Sequence, residues 1–225
     1  ATGDWVMMLD SDDWISDIDI TPISGKAVSE YDCILLQCDM VYTDGTRKRM
    51  PINQNEWTSH EATMASISWR GIHGLYLLRS HLYKQFPFDE TTRVYSDENN
   101  SRLHLLHSKR IGVCNTVYNY FQHDKSLTHS VSDNIFNIIP ALRSLQHTMD
   151  SDPMATEEIR QEVRNYRWIS LTCSMVYYLN NKDKLKAPNM VQAGMKLYLP
   201  DPEYYHIDVN NPESLRKAKN LGGQL

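Results

Sequence analysis

The chain has 225 residues, 41% of them hydrophobic, and its 28 acidic against 23 basic side chains give a formal charge of -5. That is enough apolar material for one sizeable core, or for a domain with an appendage. The acidic balance argues against a nucleic-acid binder, which carries a basic excess or patch, and the short run Arg47-Lys48-Arg49 beside a turn reads as a solvated edge. No apolar run approaches the about 20 residues of a membrane span, and the opening residues do not read as a signal peptide. The expected location is cytoplasmic, with at most peripheral membrane contact. Four cysteines, Cys33, Cys38, Cys114 and Cys173, show no metal-binding spacing and fit reduced, buried thiols.

Trp5-Val6-Met7-Met8-Leu9 is a five-residue apolar run bounded by polar residues, which predicts a strand buried on both faces, as in a parallel sheet. Asp10-Ser11-Asp12-Asp13-Trp14 follows, with three carboxylates in four residues. Carboxylates at this density repel unless they are solvated or share a cation, and hard cations such as magnesium or manganese take oxygen ligands. Three readings compete: a solvated acidic turn, a calcium loop, and a metal and nucleotide-sugar site. The calcium loop fails, because counting from Asp10 puts Ile15 where the sharp turn needs Gly and Thr21 where a bidentate Glu is required.

Residues 15–30 read as a short helical turn and a loop. From Tyr31 the pattern alternates, with Ile34, Leu36, Cys38, Met40 and Tyr42 on one face and Gln37, Asp39 and Thr43 on the other, which predicts a half-buried strand. Asp44-Gly45 supplies a hairpin turn into a short basic edge strand over residues 46–50. Residues 56–64 are ambiguous between helix and loop. Gly71 and Gly74 flank Ile72-His73, which allows either close backbone approach to a ligand or a kink between elements. Asp97 and Glu98 open a helix through Leu103, Leu105 and Leu106, where acids complement the helix dipole and capping is a sufficient explanation. His104 and His107 on that helix make a weak metal pair without a third ligand. Residues 111–120 read as a strand. Ile135, Ile138, Ile139, Leu142 and Leu145 have the spacing of an amphipathic helix, and a second runs from Thr156 to about residue 180. Such a pair packs on the preceding layer, dimerises or rests on a membrane; packing is the default, since the flanking basic density of a membrane-surface helix is missing. Residues 187–225 are polar and proline-bearing, with partial disorder expected.

The whole strand and loop Gly3-Asp4-Trp5-Val6-Met7-Met8-Leu9-Asp10-Ser11-Asp12-Asp13-Trp14 resembles the G-x-Y-hydrophobic-L-D-S-D-D-W segment of family 2 glycosyltransferases, inverting enzymes of the GT-A fold. Leu82 to Glu90 resembles the family's L-x-x-x-G-x-F-x-F-D-E segment. Asp97-Glu98 stands where the family carries Glu-Asp, in reversed order. Tyr118-Asn119-Tyr120-Phe121-Gln122-His123-Asp124-Lys125-Ser126-Leu127-Thr128 resembles Y-x-Y-R-x-H-x-x-S-hydrophobic-T, with Phe121 in place of the usual Arg.

The resemblance implies an α/β fold, a partial GT-A mixed sheet flanked by helices, over residues 1–130, and a helical C-terminal extension over 131–225. It implies metal-dependent transfer, with manganese or magnesium, of a sugar from a nucleoside-diphosphate sugar to a hydroxyl of a glycan or lipid-linked glycan. It places Asp12 and Asp10 on the metal, and Asp10, Ser11, Asp12, Asp13, His123 and Ser126 on the donor. Trp14, His73 and Gly74 fall on the acceptor. Glu98 holds the position of the base, so either its longer side chain reaches further or Asp97 has taken the role; Glu98 is the expectation. The β-α-β units that hold base and ribose in the family precede the D-x-D strand, so the chain is expected to be a fragment that binds nucleotide-sugar weakly or not at all. The rivals are a non-catalytic carbohydrate-binding or interaction domain on the same fold, and a metal-dependent nucleotidyltransferase.

Overall fold

The computed structural model describes residues 2–68, 72, 75–90, 95–123 and 131–188. The chain divides into one compact unit of Ala1–Asp89 with Asp97–Ser126, and a second of Glu90–Ser96 with Leu127–Leu225.

The first unit is built on a mixed sheet. Its strands are β1 (Trp5–Val6), β2 (Trp14–Ser16), β3 (Cys33–Tyr42), β4 (Arg47–Met50), β5 (Glu56–Trp57), β6 (Tyr76–Arg79) and β7 (Ile111–Gln122), ordered β1-β6-β3-β7-β2 with β4 on β3 and β5 on β7. The pair β3 and β7 is parallel and central; among the described residues every other pairing is antiparallel. The connection from β3 to β7 carries the three helices of this unit, α1 (Ser59–Ile67), α2 (Ser80–Gln85) and α3 (Ser96–His107).

The central strand is therefore not the first apolar run. Only Trp5 and Val6 pair, at an edge of the sheet and antiparallel to β6, while Met8 and Leu9 are 51% and 46% exposed. The expected strand through Leu9, buried on both faces in a parallel sheet, is corrected: the chain leaves the ladder after Val6 to form the acidic turn. The strand over 33–42 is likewise more deeply buried than its alternation suggested. Cys33 and Leu35 pack in the core on one side of the sheet, and Ile34 and Leu36 in the core on the other. Alternation marks two faces, and here both are covered. Ile15 and Ser16, read as part of a helical turn, instead continue from Trp14 as a strand paired with β7, Ile15 opposite Tyr118.

Local chemistry explains the remaining elements. Gly45 takes φ +83 in the turn between β3 and β4, a conformation that side chains with a Cβ resist. Thr58 caps α1, accepting from the Glu61 N-H at 3.2 Å while Glu61 accepts from the Thr58 N-H at 3.0 Å; this capping box resolves the ambiguity of residues 56–64. Gly112 lets the Tyr31 ring lie against β7, since a Cβ there would sit 2.8 Å from the ring. All four cysteines are free.

The second unit pairs α4 (Ile138–Ser151) with α5 (Glu157–Asn181). A 3-10 turn over Asp133–Asn137 precedes α4, capped by Ser132 through the Asn134 N-H at 3.1 Å. The α-helix begins three residues later than the apolar spacing implied, which places Pro140 in its first turn, where the missing N-H costs nothing. Thr156 caps α5 through the Ile159 N-H at 3.3 Å, as its sequence predicts. Among the described residues no helix is long and apolar enough to cross a membrane.

Candidate active site

Between β1 and β2 the acidic residues form a turn closed by the Asp13 N-H on the Asp10 carbonyl at 3.2 Å. Its carboxylates are not equivalent. Asp13 is only 9% exposed and points into the protein, where Oδ2 accepts from the Tyr118 hydroxyl at 2.7 Å and Oδ1 from the Phe121 N-H at 2.8 Å. The Tyr118 oxygen also accepts from the Asp10 N-H at 3.2 Å, so one phenol on β7 grips both ends of the turn. Burial, then the hydrogen bond to Asp13, pushes the Tyr118 phenol far up, so its proton stays in place as the donor. Both oxygens of Asp13, a residue expected on the donor, are engaged inward in holding the turn.

Asp10, Ser11 and Asp12 remain exposed. Partial burial raises the Asp10 carboxyl above the usual carboxylate range, and the charges of Asp13, Asp12 and Asp97 add to the effect. The carboxylates of Asp12, Asp13 and Asp97 thus each disfavour the ionised form of Asp10. Asp12 Oδ2 lies 3.0 Å from His123 Nε2, which brings the end of β7 against the loop. Trp14 is tilted against Phe121 with ring centroids 6.3 Å apart, and Phe121 against His123 at 5.5 Å. The Arg47 guanidinium lies 6.0 Å from the Trp14 ring and donates to Asn119 Oδ1 at 2.7 Å.

Because α3 immediately precedes β7 and returns along the sheet, its N-terminus reaches the end of β7 that carries Tyr118. A cavity of about 160 Å³ opens there, lined among others by Met8, Asp10, Tyr76, Asp97, Glu98 and Tyr118. Asp97 is exposed; Glu98 is half-buried and pairs with Arg102 one turn on, Nη2 to Oε2 at 3.2 Å. Burial raises the Glu98 carboxyl; Arg102 opposes that shift and Asp97 adds to it.

The floor beneath the cavity is a hydrogen-bonded relay. His104 Nε2 lies 3.0 Å from the Phe86 carbonyl, which can only accept, so Nε2 carries the proton and Nδ1 accepts from the Tyr76 hydroxyl at 2.7 Å. Burial lowers the His104 ring to about 4, which keeps it neutral near pH 7. His107 stacks on Phe86 at 4.2 Å. The suggested His104 and His107 metal pair is thus not formed, because both His104 nitrogens are used in the core.

The structure brings together Asp10, Asp97 and Glu98 around one cavity, with Asp12, Trp14 and His123 on the adjoining loop and strand end. His73, Gly74, Lys125 and Ser126 lie outside the described residues. Sequence reasoning did not single out Tyr118 or Arg102. The Glu98 to Arg102 spacing of four on a helix was a readable signal for the second; for Tyr118 the signal was its match to the first Tyr of the Y-x-Y-R-x-H segment, which did not say what it holds.

Residues 1–92 match the family model described as glycosyl transferase family 2. The crystal structure of S. aureus TarS 1-349 has a similar fold, with a TM-score of 0.52 and 16% identity, over 76% of this chain and 47% of that one. The structure of S. aureus TarS 1-349 in complex with UDP gives a TM-score of 0.52 at 13% identity, over 99% of this chain and 64% of that one. The chain thus spans about half to two thirds of the length of these similar structures. A search of curated protein sequences gives no match.

Proposed function

We propose that this chain, whose residues 1–92 match the model of glycosyl transferase family 2, forms the acceptor and leaving-group side of a glycosyltransferase site. The reaction is transfer of a sugar from a nucleoside-diphosphate sugar to a hydroxyl of a glycan acceptor, with inversion at the anomeric carbon. The observation that carries the reading is the cavity shared by Asp10 of the acidic turn and the Asp97-Glu98 pair of α3, far apart in sequence. The UDP bound by the similar TarS structure supports a nucleoside diphosphate as the donor's leaving group.

Glu98 is the general base. It takes the acceptor hydroxyl proton as that oxygen bonds to the anomeric carbon, while the bond from the anomeric carbon to the diphosphate oxygen breaks and its electron pair leaves with the diphosphate. Its raised affinity for protons, caused first by burial, suits it to this role better than an ordinary surface carboxylate. Trp14 offers an exposed ring face to a sugar. The contact of His123 with Asp12 at 3.0 Å supports its assignment to the donor.

The residues present fit a divalent ion. Asp10 and Asp12 are exposed hard oxygen donors, and the carboxylates of Asp13 and Asp97 also act on Asp10. Among the described residues no three His, Cys, Asp or Glu converge into a closed cage. Further ligands would then be water and diphosphate oxygens, as is usual for magnesium. Bound there, manganese or magnesium supplies charge neutralisation to the departing diphosphate.

A donor-consumption assay on the full-length protein with a panel of nucleoside-diphosphate sugars tests the reading. Release of free nucleoside diphosphate with transfer of the sugar supports it. Pyrophosphate release points instead to nucleotidyl transfer, and no turnover of any donor to a non-catalytic binding domain.

A further inference from the structure

We propose that Arg102 is a positioning residue that holds one oxygen of Glu98 against the cavity floor and leaves the other turned to the reacting acceptor. This rests on the assignment of Glu98 as the base. Arg102 is 2% exposed, and its guanidinium bridges the preceding turn of α3: Nη1 donates to Asn99 Oδ1 at 3.3 Å, and Nη2 to Glu98 Oε2 at 3.2 Å. Among the described residues Glu98 Oε1 accepts no hydrogen bond, and Glu98 and Arg102 both line the cavity. A carboxylate tethered through one oxygen keeps its direction without losing its second acceptor.

The cation also decides which form of Glu98 the site holds. Asp97 on the same helix disfavours the ionised form, as does burial. Facing the cavity from the other elements are Asp10 from the acidic turn, Tyr76 from β6, Tyr83 from α2 and Tyr118 from β7. Burial raises all three phenols, so none supplies or removes charge near neutral pH. Among the described residues Arg102 is therefore the cation that opposes protonation of Glu98, and a protonated Glu98 cannot accept the acceptor's proton.

Carboxyl ¹³C titration of glutamate-labelled protein tests the inference, with the Glu98 resonance identified by its loss in E98Q. R102M keeps most of the volume and removes the cation; Glu98 is expected to titrate at least one pH unit higher there, with R102K restoring most of the shift. In the transfer assay R102M lowers kcat tenfold or more near pH 7, moves the acidic limb of the pH profile upward, and leaves donor KM within twofold. R102Q gives the same reading should R102M not fold. An unchanged Glu98 midpoint in the cation-free variant overturns the proposal. Transfer that survives E98Q overturns the base assignment instead, and the titration separates the two failures.

Discussion

The acidic turn and the start of α3 each pair an exposed carboxylate with one turned inward, and they satisfy the inward one by different means. Asp13 is held by a phenol and a backbone N-H, both neutral, and both its oxygens are engaged. Glu98 is held by a cation through one oxygen, and a cavity lies beside it. A carboxylate with both oxygens held by fixed donors is an anchor. One with a free oxygen and raised proton affinity can exchange a proton with something else. The difference between structure and chemistry at these two places is one of remaining hydrogen-bonding capacity, not of residue type.

The comparison breaks most readily at Asp13. D13A leaves the Tyr118 hydroxyl and the Phe121 N-H buried without their acceptor, at about 1–3 kcal/mol each, so on the order of 4 kcal/mol should be lost in urea denaturation. A loss below about 0.5 kcal/mol, the scatter of ordinary surface substitutions, would mean that the turn does not depend on this anchor.

His104 extends the contrast to a buried base with both nitrogens filled. Its ring is lowered from 6.5 to about 4, so the unfolded chain takes up a proton in that window that the folded protein refuses. Stability should fall as pH drops from 6.5 to 4 and level off below, by about 3 kcal/mol from this group at about 1.4 kcal/mol per pH unit. H104Q should remove that part of the slope, and denaturation midpoints of the two proteins across pH 4 to 7 measure it.

At Glu98 the asymmetry between partners sharpens the comparison. A guanidinium does not give up its charge in proteins, whereas a carboxylate can take a proton. E98Q strands a buried cation, with a full penalty of about 3–5 kcal/mol when one partner of a buried pair is removed. Partial exposure of Glu98 reduces this to about 2 kcal/mol, while R102M, which Glu98 answers by protonating, should cost about 1 kcal/mol. Thermal melts of the two variants that ranked in the opposite order would contradict the account of this pair.

Much of this was legible in the sequence, and what was not depended on distant residues. The acidic loop, the helix opening at Asp97-Glu98, the Asp44-Gly45 hairpin and the Thr156 cap follow from short-range chemistry and appear where it puts them. That Asp13 rather than Asp12 turns inward depends on Tyr118, 105 residues away, and no local pattern in D-S-D-D distinguishes them. The apolar run from Trp5 has the composition of a buried strand but leaves the sheet after Val6, and Met8 beyond it lines the cavity. His104 carries the same letter as a metal ligand. Only its contacts with Tyr76 and Phe86 show that it is a core residue.

We propose that the acidic turn binds the donor's leaving group and that Glu98 takes the acceptor's proton. Isothermal titration of the full-length protein with manganese and a uridine-diphosphate sugar panel, beside a transfer assay, separates the two roles in D12A and E98Q. Metal-dependent donor binding is expected, which D12A weakens at least tenfold and which E98Q keeps within twofold while losing transfer at least a hundredfold. Donor binding indifferent to both metal and D12A, or transfer that persists in E98Q, would contradict the proposal.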